Sequence, residues 1–102
     1  MSGSAIQMTW PQYLRHECQI GAFIVPLSPI QTELLLLLML RYPNPVTLSD
    51  MVEAAYPDPD REPDASHCCI YRHIKRLRAR IGQYRIVGRS SFGWRLIQMP
   101  CQ

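Results

Sequence analysis

The sequence predicts an α+β fold: short N-terminal strands, then three helices, then a C-terminal β-hairpin. Two apolar stretches each open on a cap signal and close on a proline. A third, strongly basic stretch carries apolar residues at helical spacing, and two β-forming runs flank a glycine-bearing turn near the end. At 102 residues, 47% of them apolar, the chain is one globular domain able to bury a modest core.

Residues 1–12 read as a flexible N-terminal tail with a turn at Trp10-Pro11, and 99–102 as a C-terminal tail, leaving 13–98 as the folded domain. Within 13–25, Ile20, Phe23, Ile24 and Val25 can make short strands that Gly21 punctuates. "SPIQTELLLLLMLRYP" (28–43) announces the first helix. Ser28 and Gln31 have capping-box spacing. Pro29 suits the first helical position, where a missing N–H costs nothing, and Pro43 pushes Tyr42 out of helical geometry. The apolar run 34–40 goes all round the helix, which predicts burial on every side.

"TLSDMVEAAYP" (47–57) repeats the device, with Thr47 and Asp50 as a second box and Pro57 as the stop. It offers Leu48, Met51, Val52 and Ala55 for packing. Segment 57–66 is a stiff solvated loop with three prolines and four acids against one arginine. The third helix is expected over 64–82, with Asp64 or Ser66 as its N-cap and Gly82 as its end. Stretches 84–87 and 94–97 should then pair as an antiparallel hairpin around "GRSSFG".

Charge is split along the chain. Residues 1–71 hold three basic and eight acidic side chains, a balance of −5; residues 72–102 hold eight basic ones and no acid, a balance of +8. Such asymmetry aims one face at an anion, nucleic acid being the commonest polyanion. In "IYRHIKRLRARIG" (70–82), Ile70, Ile74, Leu77 and Ile81 fall on one stripe. Arg72 and Arg76 then point away from the core with Cys69 and Ala79, Lys75 and Arg80 flank them, and Arg78 lies nearer the core boundary. Arg72, Arg76 and Arg80 stand four apart with no interleaved acid, and like charges at that spacing repel. An external polyanion converts the repulsion into attraction, and the major groove of B-DNA, about 12 Å wide, admits a helix. The hairpin adds Arg85, Arg89 and Arg95; a basic tip bearing Arg89 suits a narrow minor groove, and Ser90 and Ser91 can bond phosphate oxygens.

These residues resemble the OmpR/PhoB-type winged-helix DNA-binding domain over about residues 20–98. "LSPIQTELLLLLML" is similar to that family's leucine–threonine–proline opening and leucine-rich first helix, and "VTLSDMVEAAYP" to its second helix. "HIKRLRARI" resembles its histidine–isoleucine–x–arginine–leucine–arginine run, and "GWRL" the end of its wing. The resemblance implies a winged helix-turn-helix with 64–82 as recognition helix in the major groove and 84–98 as wing at the minor groove. Lys75, Arg76 and Arg78 match its DNA-meeting positions. Arg72 stands where the family usually has a small apolar residue, so base preference should differ. The family's wing arginine position is Ser90 here, with Arg89 one step earlier. The family's N-terminal sheet has about four strands, of which 13–26 could supply two or three. A receiver domain commonly precedes such domains; 102 residues leave no room for one, so aspartate phosphorylation is not expected to regulate this chain.

The expected function is therefore that of a sequence-specific double-stranded DNA-binding transcription regulator, with DNA contacts from Arg72, Lys75, Arg76, Arg78, Arg80, Arg89 and Ser90. Arg72 and Arg76 would lie nearest the bases. A homodimer on a repeated site is expected, since one such domain covers a half-site. Loop 57–66 lies where the family can contact RNA polymerase, and its acids either serve that contact or keep the loop away from DNA. The alternative is a winged-helix module that docks on RNA polymerase or another regulator, since fold alone does not settle function.

Other classes find less support. The run 34–40 is far short of the roughly 20 residues that cross a bilayer, and "MSGSAIQMTW" lacks the pattern of a secretion signal, so a cytoplasmic protein with reduced cysteines and no membrane partner is expected. Cys69 and His73 are four apart, yet no paired CxxC motif exists, so neither a metal nor another cofactor is expected. Cys69 among arginines could act as a thiol switch. No phosphate loop, nucleophile elbow or carboxylate pair supports an enzyme. RNA is disfavoured because the basic face lacks aromatic platforms for stacked single strands.

Overall fold

A computed structural model describes residues 6–63, 66–82, 85–89 and 92–97. It opens with strand β1 (Ile6–Gln7), helix α1 (Trp10–Leu14) and strands β2 (Glu17–Ile20) and β3 (Phe23–Pro26). The three strands form an antiparallel sheet in the order β1-β2-β3, with Ile6 opposite Ile20 and Glu17 opposite Pro26. From Ile6 onward, then, the stretch expected to be a tail is folded. "TWPQ" uses the same cap as "SPIQ": the Thr9 hydroxyl accepts from the Gln12 N–H at 3.3 Å, and Gln12 Oε1 accepts from the Thr9 N–H at 2.8 Å. Ile6 is buried in the core, so β1 supplies the sheet with a strand that 13–26 lacks.

Helix α2 (Pro29–Arg41) starts as its sequence dictates, with Ser28 and Gln31 closing a reciprocal capping box and Pro29 in the first turn. It ends at Tyr42, whose ψ of 134° is extended, as a residue before proline must be. Burial all round does not occur. Leu34, Leu35 and Leu38 are fully buried, Leu36, Leu37 and Met39 only in part, and Leu40 is 72% exposed. One face of a single helix meets the core; a uniformly apolar sequence cannot say which.

Helix α3 (Leu48–Ala55) forms half of its expected box. The Thr47 hydroxyl accepts from the Asp50 N–H at 3.1 Å, while the Asp50 carboxylate accepts from Arg41 at 3.3 Å and ties α3 to the end of α2. After a 3-10 turn at Pro59–Arg61, helix α4 (Ser66–Ile81) begins with Ser66 as its first helical residue rather than its cap. Asp64, the other candidate cap, lies outside the described residues. Gly82 ends α4 at φ 118°, its N–H donating to the Arg78 carbonyl at 2.8 Å. Ile70, Ile74, Leu77 and Ile81 all enter the core with Leu34, Leu35, Leu38 and Met51, as their spacing predicts.

Strands β4 (Ile86–Arg89) and β5 (Gly93–Leu96) pair antiparallel, Ile86 opposite Leu96 and Arg89 opposite Gly93. Gly88, Arg89 and Gly93 belong to the ladder rather than to the expected turn, of which Ser90 and Ser91 lie outside the described residues. Both glycines are there for proximity: a Cβ on Gly88 would collide with the Gly93 carbonyl, and one on Gly93 would lie 2.6 Å from the Val46 oxygen. Val46 clamps the hairpin from outside, donating to the Trp94 carbonyl at 2.6 Å and accepting from its N–H at 2.9 Å. Tyr84 and Gln98, at the outer ends of the expected hairpin, lie outside the described residues.

Candidate nucleic-acid interface

With its apolar stripe committed to the core, α4 must present the remaining side chains outward. Arg72, Lys75, Arg76 and Arg80 are exposed, and Arg78 is half-buried. Among the described residues three ion pairs form, Arg15–Glu17, Arg41–Asp50 and Arg61–Asp58, and none uses a cation of α4.

Four contacts hold that basic face of α4 in place. The Tyr56 hydroxyl and His73 Nε2 lie 3.2 Å apart, joining the end of α3 to the middle of α4. Burial, reinforced by Cys69, raises the Tyr56 pKa, so its proton stays on. Burial first, then the charges of Arg76 and Arg72, lowers that of His73 and favours a neutral ring. A protonated Tyr56 can donate to Nε2 when the imidazole carries its proton on Nδ1. Second, Tyr71 of α4 meets Trp94 of β5 edge to face, ring centroids 5.7 Å apart. Third, Arg78 Nε donates to the Ile86 carbonyl at 3.1 Å and straps α4 to the hairpin. Fourth, Arg80 donates to the Pro26 carbonyl at 3.3 Å, reaching the N-terminal sheet.

The seven candidate DNA contacts therefore separate. Arg72, Lys75 and Arg76 share the open face of α4; Arg78 and Arg80 stand at its C-terminal end, each already bonded to a carbonyl. Arg89 ends β4, and Ser90 lies outside the described residues. On β5, Arg95 is exposed between buried Trp94 and Leu96, as strand alternation requires. Arg85 instead neighbours Cys18, where its charge opposes the burial that pushes that thiol up to about 11.

Sequence reasoning overlooked Phe92, 74% exposed where the hairpin turns. Its signal was an aromatic among the small residues of "GRSSFG". Among the described residues no group of three or more His, Cys, Asp or Glu could hold a metal ion, and no helix is long and apolar enough to cross a membrane.

No protein-family model matches the chain, and no curated protein does. Solved structures do. The C-terminal domain of the nisin resistance regulator NsrR, a lantibiotic response regulator, is similar at TM-score 0.69 with 21% identity over 95% of each chain. The DNA-binding domain of E. coli CadC is similar at TM-score 0.72 with 10% identity over 94% of each chain. The chain has the OmpR/PhoB-type winged-helix fold. In that winged helix, α3 and α4 are the helix-turn-helix pair and β4–β5 the wing. Arg78 and the Tyr71–Trp94 contact then acquire a shared role, since both set the wing's offset from α4.

Proposed function

We propose that this chain is a sequence-specific regulator of transcription that binds double-stranded DNA, with α4 in the major groove and the β4–β5 wing at the minor groove. One observation carries the reading: Arg72, Lys75 and Arg76 lie exposed together on the outward face of α4, and the ion pairs Arg15–Glu17, Arg41–Asp50 and Arg61–Asp58 use none of them. Duplex phosphates supply the charge that relieves their repulsion. Arg72 and Arg76 read bases, while Lys75 holds phosphate directly and Arg78 and Arg80 do so through the donors left after their carbonyl bonds. Arg89 and Ser90 approach the minor groove from the wing. NsrR and CadC, whose domains share this fold, are a response regulator and a protein with a DNA-binding domain, which accords with the reading. Two copies bind a repeated site with half-sites about one helical turn apart, and the protein works in the cytoplasm.

The test is recovery of bound duplexes from a random pool at two salt concentrations. A shared motif is expected in repeated half-sites, with log affinity falling against log salt by about 0.9 per neutralised phosphate. Binding that ignores salt, or a pool that yields no motif, refutes the reading.

A second reading, docking on RNA polymerase or another regulator, draws on a different surface. A cleft of about 430 Å³ is lined by residues that include Pro29, Ile30, Glu33, Glu53, Ala54 and Pro57, the last of which begins the loop that carries the exposed acids Asp58, Asp60 and Glu62. This face can serve a protein contact while α4 holds DNA. Charge reversal at Asp58 and Asp60 that abolishes activation but spares DNA binding is its expected signature.

A further inference from the structure

We propose that Phe92 is an apolar wedge that enters the minor groove, partly unstacks one base step and bends the duplex; the proposal rests on the DNA-binding reading above. Phe92 occupies the wing's turn and is 74% exposed. Its neighbour Gly93 is seated against the Val46 carbonyl, and Trp94 beyond it is buried and doubly bonded to Val46. Phe92 is therefore next in sequence to a rigid base. That base is itself fixed to α4 by the Tyr71–Trp94 ring contact and the Arg78–Ile86 bond. An aromatic ring is thus carried at a set offset from the cationic ridge, on a hairpin that brings Arg89 to the same end.

Charge and wedge divide the work. Arginine is drawn by the negative potential of a narrow minor groove, whereas a large apolar side chain gains by sliding between base pairs once phosphates anchor the protein. Pyrimidine–purine steps unstack most readily, so Phe92 selects a TA or CA step where the wing lands without bonding to any base edge. Specificity would then arise partly from deformability, at a position the helix does not reach.

The experiment uses a short duplex whose sequence comes from the selection above, with dyes at its two ends and 2-aminopurine at the step nearest the wing. Wild type is compared with Phe92→Ala and Phe92→Leu, and unchanged melting temperatures verify that both variants fold. Wild type should bend the duplex by roughly 20–90° and brighten the 2-aminopurine. Phe92→Leu, still apolar and bulky, should keep the bend. Phe92→Ala should leave the duplex straight and weaken binding about tenfold, within the range of one aromatic–base stack. Wild type that binds without bending, or Phe92→Ala that bends equally, overturns the wedge and leaves the DNA reading standing. Absence of any salt-dependent duplex binding by wild type overturns both.

Discussion

Gly93→Ala tests how the wing is held. The residue sits at φ 85°, and a Cβ there would lie 2.6 Å from the Val46 oxygen and 3.1 Å from its carbon. Both atoms are backbone, so they cannot swing aside. Left-handed geometry costs an alanine about 1–2 kcal/mol. Relief of the clash breaks the Val46 N–H···Trp94 and Trp94 N–H···Val46 bonds, worth about 0.5–1.5 kcal/mol each. The total is about 2–5 kcal/mol, a large share of the roughly 5–15 kcal/mol that keeps a domain folded. For a domain of this size it corresponds to a melting point lowered by about 10–30 °C. Gly82→Ala is the control. Gly82 has φ 118°, but the nearest atom to its Cβ is Arg85 Nε at 3.4 Å, the end of a flexible side chain. That variant should lose only the backbone term, about 1–2 kcal/mol. Urea unfolding followed by circular dichroism measures both. If Gly93→Ala is no less stable than Gly82→Ala, the Val46 clamp contributes nothing and the account of a rigid wing base is wrong.

Arg76→Ala should weaken binding to a selected duplex by about 1–3 kcal/mol if the guanidinium makes a bidentate base contact; equal losses on selected and random duplexes would assign it to phosphate. His73 has a pKa below its usual 6.5, so the unfolded chain binds its proton first: stability is flat above about pH 6.5 and falls as pH drops below it. Denaturation across that window should show the decline, His73→Gln should flatten it, and an NMR titration placing His73 above 6.5 in the free protein would contradict it. Cys18 is buried with its thiol pushed up to about 11, while Cys68 is exposed. Mass spectrometry during alkylation at neutral pH should find Cys68 modified long before Cys18, and duplex binding unchanged once Cys69 is alkylated as well would dispose of the thiol switch there.

Where signals are local, the chain declares its structure. Ser28–Gln31 announces α2, the spacing of Ile70, Ile74, Leu77 and Ile81 orients α4, and the orientation alone exposes Arg72 and Arg76. Even the α1 cap was legible, since Thr9–Gln12 repeats the Ser28–Gln31 device beside a proline. Five helical residues nevertheless carry too short a pattern to stand out from a tail. The wing glycines were legible as glycines but misread as turn residues, because the backbone each one admits lies on a neighbouring segment.

What the sequence by itself determined is therefore helices α2, α3 and α4, the face that α4 turns inward, and the segregation of charge, all consequences of spacing within a few residues. Tertiary structure alone decided that Ile6 joins the sheet, that Val46 clamps Trp94, and that Arg78 and Arg80 spend a donor on carbonyls of the wing and of β3. Those pairings join residues up to 54 positions apart. Periodicity reports which side of an element is buried, but not which partner buries it; that depends on the packing of the whole domain.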